Sequence, residues 1–126
     1  MRLLLDTHIF IWSLMRPRAI GKTARQAIVS SDSEVYVSAA TAWEIAIKRA
    51  AGKIEFPIDR LGQIFTEKGF LPLAIETAHA VAAGGLPNHH ADPFDRMLVA
   101  QAKLEGLALV TADATLASYD VTILNA

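Results

Sequence analysis

The stretch "HHADPFDRMLVAQAKLEG", in the last third of the chain, places two aspartates at the head of a predicted helix. Asp92 directly precedes Pro93, which is typical of a helix N-cap followed by proline at the first helical position. Asp95 lies at the top of a row of apolar residues, three, four and seven positions further along, that should face the core. A lone carboxylate there is costly unless a positive group compensates it. Capping therefore explains Asp92, whereas Asp95 is better explained by a bound cation.

Three further acids occupy positions where chemistry is plausible. Asp6 directly follows the apolar run "RLLL", and Asp113 follows "LALVT" by one residue. Either aspartate taken alone is explained at least as well by helix capping, which is worth about 1 kcal/mol over alanine. Glu44 stands among apolar residues in "SAATAWEIAIKRAAG", which favours a place in a site. Its plain alternative is a surface ion pair with Lys48, four residues on, worth roughly a few tenths of a kcal/mol.

Four or five converging carboxylates would suit a hard cation, because Mg²⁺ and Mn²⁺ prefer oxygen ligands and keep several waters. A carboxylate-bound metal pair can cleave phosphodiester bonds, since one metal activates a water and the other stabilises the leaving oxygen. The histidines are weaker candidates. His8 adjoins Asp6, and His89 and His90 precede Asp92, but none shows the spacing of a zinc motif. A histidine in a loop is more often a surface or hydrogen-bonding residue.

Predicted strands and helices alternate along the chain that carries these acids. Apolar, β-branched and aromatic runs predict strands at residues 2–5, 34–38, 70–74, 107–111 and 121–124, with Pro72 placing the third at an edge. Caps and breakers predict helices at 7–14, 22–30, 39–51, 57–68, 76–83, 93–105 and 114–118. This alternation indicates an α/β fold whose parallel sheet is covered on both faces. Ligands bind beyond the carboxyl ends of such strands, so Asp6 and Asp113 would be neighbours if their strands are adjacent.

The composition indicates one globular domain spanning residues 1–126. Apolar residues make up 52% and charged residues 20%, which argues against disorder. Cysteine is absent, so disulfides and thiolate metal sites are excluded. The start "MRLLLD" lacks a signal-peptide pattern and no apolar run is long enough to span a membrane, which predicts a cytoplasmic protein without membrane contact. The net charge of −1 means that nucleic-acid binding would need a local basic patch.

Four segments in one order, "LLLDTHIFIW", "SAATAWEIAIK", "HHADPFDRMLVAQA" and "LALVTADATL", closely resemble the PIN-domain ribonucleases, specifically the VapC-type toxins of bacterial toxin–antitoxin pairs. The resemblance covers essentially the whole chain. It implies a three-layer α/β/α fold with a mostly parallel central sheet. It also implies a hydrolase, an endoribonuclease that depends on Mg²⁺ or on Mn²⁺ in its place. The residues that match the family's four catalytic, metal-binding acids are Asp6, Glu44, Asp95 and Asp113.

The resemblance also implies supporting residues and partners. Asp92 belongs to the "DPFDR" variant of the motif and joins the metal-site residues, and Thr111 matches a hydroxyl position near the fourth acid. The family forms homodimers and is inhibited by a cognate VapB-like antitoxin that inserts a segment into the active-site groove. DNA would then be contacted only indirectly, through the antitoxin. Contacts to substrate RNA are predicted from basic residues whose plain alternative is a solvated surface: Arg16, Arg18, Lys22, Lys48 and Arg49.

Three other functions remain open on the residues alone. A haloacid-dehalogenase-like phosphatase also places an aspartate after its first strand, but it needs a second aspartate two residues on, where this chain has His8. A phosphate-accepting receiver domain needs an aspartate after a central strand, and "EVYVS" ends in Ser38. In a non-catalytic binding module the aspartates would be caps and nothing more, and titration with Mn²⁺ would separate that case from a metal site.

Overall fold

The computed structural model describes residues 1–126, which form one five-stranded sheet in which every pairing is parallel. Its strands are β1 (Arg2–Leu5), β2 (Glu34–Ser38), β3 (Leu71–Leu73), β4 (Ala108–Thr111) and β5 (Ile123–Asn125). The order across the sheet is β3-β2-β1-β4-β5, so β1 lies at the centre. Pro72 lies in β3 at one edge, as predicted for a residue without a backbone N–H to donate.

Six α-helices connect and cover the strands: α1 (Thr7–Met15), α2 (Lys22–Val29), α3 (Ala39–Ala50), α4 (Leu61–Lys68), α5 (Thr77–Gly84) and α6 (Pro93–Glu105). Residues 58–60 form a 3-10 turn that replaces the first turn of the helix predicted from residue 57, and residues 114–118 also form 3-10 rather than α-helix. The predicted stops are confirmed at Gly69 and Gly106, which follow α4 and α6 with φ of 71° and 65°. None of these helices is both long enough and apolar enough to cross a membrane.

The last strand begins later than predicted, at Ile123 rather than Val121. Tyr119 is buried, and the backbone N–H of Val121 donates to its carbonyl at 2.9 Å. The chain therefore turns at Tyr119 before it can pair with β4.

Each face of the sheet has its own apolar cluster, because successive side chains of β1 point in opposite directions. Leu3 and Leu5 pack on one face with the buried side of α1 and α2. Leu4 packs on the other face with Leu98 and Val99 of α6, and α5 packs against α6. Helices thus cover both faces, which confirms the predicted three-layer α/β/α fold.

The strand order creates a crevice at the carboxyl ends of β1 and β4. From β1 the chain proceeds to β2 and β3 on one side of the sheet, and it later returns to β4 and β5 on the other. β1 and β4 are direct neighbours, and the N–H of Asp6 donates to the carbonyl of Val110 at 3.0 Å. The connections that leave two such strands diverge, so a ligand can enter between them. The predicted proximity of Asp6 and Asp113 follows from this adjacency.

Candidate metal centre

The loops after β1 and β4 bring Asp6 and Asp113 to the same crevice. Asp6 caps α1, since its Oδ1 accepts the backbone N–H of Ile9 at 2.8 Å. Burial raises the pKa of Asp6, although the Thr111 hydroxyl and the Ile9 N–H act in the opposite direction, and the charge of Asp113 adds to the rise. The Oγ1 of Thr111 accepts the N–H of Asp113 at 3.0 Å. Thr111, the last residue of β4, therefore links the two acids.

Glu44 reaches the crevice from α3 and is only 4% exposed. The hydroxyl of Thr7 donates to its Oε1 at 2.6 Å, and Nζ of Lys48 lies 2.7 Å from its Oε2. The ion pair that was the plain alternative for Glu44 therefore exists, but the carboxylate in it is buried. The hydrogen bond with Glu44 raises the pKa of Lys48, and the charges of Asp92 and Asp95 add to this effect. Lys48 thus lies among the acids.

The start of α6 supplies the other two acids. Asp92 is the N-cap, and its Oδ1 accepts the N–H groups of Phe94 and Asp95 at 2.8 and 3.3 Å, as the capping pattern predicts. Asp95 is partly buried, while the apolar row below it is buried completely. Burial raises the pKa of Asp95 to about 7, with further contributions from Asp92, Asp6 and Glu44, while His90 opposes the rise. Asp95 is therefore surrounded by the other acids.

His90 lies within this cluster, although it ranks as a weak candidate on sequence alone. Its Nε2 is 3.0 Å from Oδ2 of Asp113 and 3.4 Å from Oδ2 of Asp95. Burial tends to raise the pKa of Asp113, but hydrogen bonds from Thr115 and His90 outweigh burial and leave that pKa lowered. The only sequence feature that could have identified His90 is its place two residues before the N-cap, where its ring can fold back onto the N–H of Asp92.

The predicted RNA contacts are divided between two regions. Lys48 is tied to Glu44 in the crevice, and Arg49 lies exposed beside it on α3. Arg16 follows the last residue of α1, so it stands roughly 13 Å from the end of that helix where Asp6 lies. Arg18 and Lys22 are exposed in the segment beyond it. This second group lies outside the crevice.

The donor set fits a hard divalent cation. One ligand atom each from His90, Asp95 and Asp113 lie within 4.8 Å of one another. Asp6, Glu44 and Asp92 act electrostatically on Asp95, so negative charge accumulates where a cation would relieve it. Carboxylate oxygens without thiolates are the ligands that Mg²⁺ and Mn²⁺ prefer.

A family model of the PIN domain matches residues 3–121 of this chain. The chain belongs to the PIN-domain family. Ribonuclease VapC22 of Mycobacterium tuberculosis is 30% identical to it over 92% of this chain and 90% of that protein. These two matches confirm the resemblance that the four sequence segments indicated.

Two solved structures share the fold of this PIN domain. VapBC2 from Rickettsia felis, bound to a DNA fragment from its promoter, gives a TM-score of 0.75 at 14% identity, covering 99% of this chain and 98% of that one. A toxin–antitoxin complex from Klebsiella pneumoniae gives a TM-score of 0.66 at 18% identity, covering 97% and 96%. At such low identity the likeness concerns the fold, which in each case extends over nearly the whole chain.

Proposed function

We propose that this PIN domain is an endoribonuclease of the VapC toxin type, which uses a divalent cation and water to hydrolyse RNA phosphodiester bonds. The observation that carries the proposal is the set of carboxylates at the carboxyl ends of β1 and β4, among which Asp95 has its pKa raised to about 7. Such a site is unfavourable without a cation, because like charges and burial both oppose ionisation. The relationship to a ribonuclease over nearly the whole chain supports RNA as the substrate.

Three acids are proposed to hold the cation directly, namely Asp6, Asp95 and Asp113. Bound Mg²⁺ or Mn²⁺ would lower the pKa of a water and neutralise charge on the phosphate. Glu44 is held in one orientation by Thr7 and Lys48. Each oxygen of that carboxylate keeps a second lone pair, so Glu44 can also hold a metal-bound water or the metal itself.

Basic residues are proposed to bind the RNA backbone. Lys48 and Arg49 stand next to the acids on α3 and can meet the phosphate that enters the crevice. Arg16, Arg18 and Lys22 would contact RNA further along the same strand. Because phosphate contacts release counterions, this binding should weaken as salt increases.

The partners are proposed to be a VapB-like antitoxin and a second copy of this chain. Two large apolar side chains are exposed, Trp43 on α3 at 61% and Val81 on α5 at 72%. Exposed apolar surface of this kind marks interaction sites. DNA would be contacted only through the antitoxin, and the enzyme would act in the cytoplasm, where bacterial RNA is translated.

A cleavage assay with a matched charge control tests the proposal. Wild type, Asp6→Asn and Asp59→Asn are incubated with single-stranded RNA in Mg²⁺, Mn²⁺ or EDTA. Asp59 is an exposed acid in the turn before α4, so its variant removes the same charge outside the crevice. Wild type and Asp59→Asn should cleave only with a cation, and Asp6→Asn should fold but not cleave. A wild type that binds Mn²⁺ tightly and cleaves no RNA would contradict the proposal and favour a non-catalytic binding module.

A further inference from the structure

We propose that His90 is a positioning residue that orients Asp113 and Asp95 as a neutral hydrogen-bond donor, and that it is not itself a ligand of the cation. The proposal rests on the metal-dependent function proposed above. Distance alone does not distinguish the two roles, because the ring nitrogen and the two carboxylates lie within 4.8 Å of one another. The other ring nitrogen of His90 decides between them.

The hydrogen bonds of His90 select one tautomer. The backbone N–H of Asp92 donates to Nδ1 at 3.0 Å, so Nδ1 carries a lone pair and no hydrogen. The single proton of a neutral ring is then on Nε2, which faces Oδ2 of Asp113 at 3.0 Å and Oδ2 of Asp95 at 3.4 Å. Both oxygens are acceptors. The Nε2–H tautomer therefore satisfies all three contacts together.

Ligation by Nε2 would break this arrangement. A metal bound at Nε2 needs the lone pair of that atom, so the proton of a neutral ring would move to Nδ1. Nδ1–H would then face the N–H of Asp92, donor against donor. The turn that leads into the N-cap of α6 would lose its hydrogen bond at the residue that caps the helix.

The backbone around His90 is anchored by Arg96 and Tyr119, which limits how far the ring can move. The N–H of His90 donates to the hydroxyl of Tyr119 at 2.9 Å. The guanidinium of Arg96 also donates to that hydroxyl, at 3.3 Å. Its remaining hydrogen bonds go to backbone carbonyls in the segment before α6, those of Ala83, Leu86, Pro87 and His90. Arg96 thus uses its fork of donors to hold the loop that presents His90.

The consequence is a preset pair of acidic ligands. One N–H reaches an oxygen of each carboxylate, so Asp95 and Asp113 face each other before a cation arrives. Partners of this kind orient metal ligands, and their loss typically weakens metal affinity roughly 10- to 100-fold.

The tautomer is tested by NMR of protein labelled with ¹⁵N in its histidines, with and without saturating Mg²⁺. His79 serves as an internal reference because it has the same pattern far from the acids along the chain. Its Nδ1 accepts the N–H of Glu76 at 2.9 Å, and its Nε2 lies 3.1 Å from Oε1 of Glu105. The His90→Gln variant identifies the signals of His90. We expect His90 and His79 both to show the Nε2–H tautomer, and His90 to keep it when Mg²⁺ is bound.

Loss of the Nε2 proton on addition of Mg²⁺, with His79 unchanged, would overturn the proposal, because it would make His90 a ligand. A wild type that cleaves no RNA would overturn the proposed function alone, since the tautomer and the Mg²⁺ titration are measured without RNA.

Variants test the positioning role separately, with Mn²⁺ affinity as the measurement. His90→Ala should weaken Mn²⁺ binding roughly 10- to 100-fold. His90→Gln, whose amide can still donate near the position of Nε2, should recover part of that loss. His89→Gln changes the exposed neighbouring histidine and should bind Mn²⁺ like wild type. Equal Mn²⁺ affinity in His90→Ala and wild type would show that His90 does not position the acids.

Discussion

Asp95→Asn is expected to stabilise the metal-free protein while it removes the response to metal. The carboxylate of Asp95 is partly buried and is surrounded by Asp92, Asp6 and Glu44, and its pKa is raised from 3.8 to about 7. Asparagine has nearly the same shape but carries no charge. It therefore removes the repulsion in the folded protein and leaves the helix start intact.

The magnitude follows from the pKa. A rise from 3.8 to about 7 is a shift of about three units, and each unit corresponds to 1.36 kcal/mol, which gives a ceiling of about 4 kcal/mol. The side chain is 22% exposed and its titration is coupled to that of its neighbours, so we take about half, roughly 2 kcal/mol. For a domain of this size about 1 kcal/mol moves the melting temperature by about 3–5 °C, so the expected rise is about 6–10 °C.

The sign of the pH dependence is fixed by the raised pKa. Between about pH 4 and pH 7 the folded protein binds a proton at Asp95 that the unfolded chain has released, so this group lowers stability as the pH rises through that window. The advantage of Asp95→Asn over wild type should be largest above pH 7. It should shrink towards pH 5, where Asp95 of the folded wild type is already protonated.

Thermal melts at pH 5 and pH 8, in EDTA and in Mn²⁺, measure these effects. Wild type should gain about 2.7 kcal/mol when Mn²⁺ is present at about 100 times its dissociation constant, and Asp95→Asn should lose this gain. Asp92→Asn is the matched control, because it removes the neighbouring charge and asparagine caps as well as aspartate. A lower melting temperature of Asp95→Asn at pH 8 in EDTA would refute the repulsion argument. A full Mn²⁺ response in Asp95→Asn, together with its loss in Asp92→Asn, would show that the two roles are reversed.

Three further predictions use other residues of the site and its surroundings. Expression of wild type alone should arrest growth of a bacterial host, and Glu44→Gln should relieve the arrest at equal soluble protein; normal growth with intact wild type would contradict the toxin role. Asp92→Ala should lower the free energy of unfolding by about 1 kcal/mol in denaturant melts, since alanine cannot accept the N–H groups of Phe94 and Asp95. If Arg16, Arg18 and Lys22 contact phosphates, replacing all three with glutamine should reduce the salt slope of RNA binding by about 0.7 per contact, measured by fluorescence anisotropy with Asp6→Asn as the background; an unchanged slope would place them on ordinary solvated surface.

The features that the sequence predicted best depend on neighbouring residues. α6 begins at Pro93 and ends at Glu105 as predicted, because its cap, its proline and the glycine that follows act within one helical turn. β2 likewise covers Glu34–Ser38 as predicted. The start of β5 was wrong because it depends on where the buried Tyr119 holds the chain, which no local pattern reveals.

The partners of the acids were harder to predict because they are distant in sequence. Thr7 reaches Glu44 across 37 positions, and His90 reaches Asp113 across 23. Only the adjacency of β1 and β4 and the packing of α3 against α6 bring such pairs together. The basic residues show the same limit, since a cluster in sequence at Arg16, Arg18 and Lys22 lies away from the crevice, while Lys48 lies in it.

Capping and metal binding, which compete as explanations of each aspartate in the sequence, are compatible in the structure. Asp6, Asp92 and Asp113 each accept backbone N–H groups of the following helix or turn through Oδ1. In each case Oδ2 is left for another partner, and in Asp113 that oxygen meets His90. The first turns that follow these caps also present unpaired N–H groups, which favour negative charge nearby. Capping by one oxygen therefore orients the other and lets the acids approach one another, so an asparagine at any of the three should keep the fold while removing the charge that a cation requires.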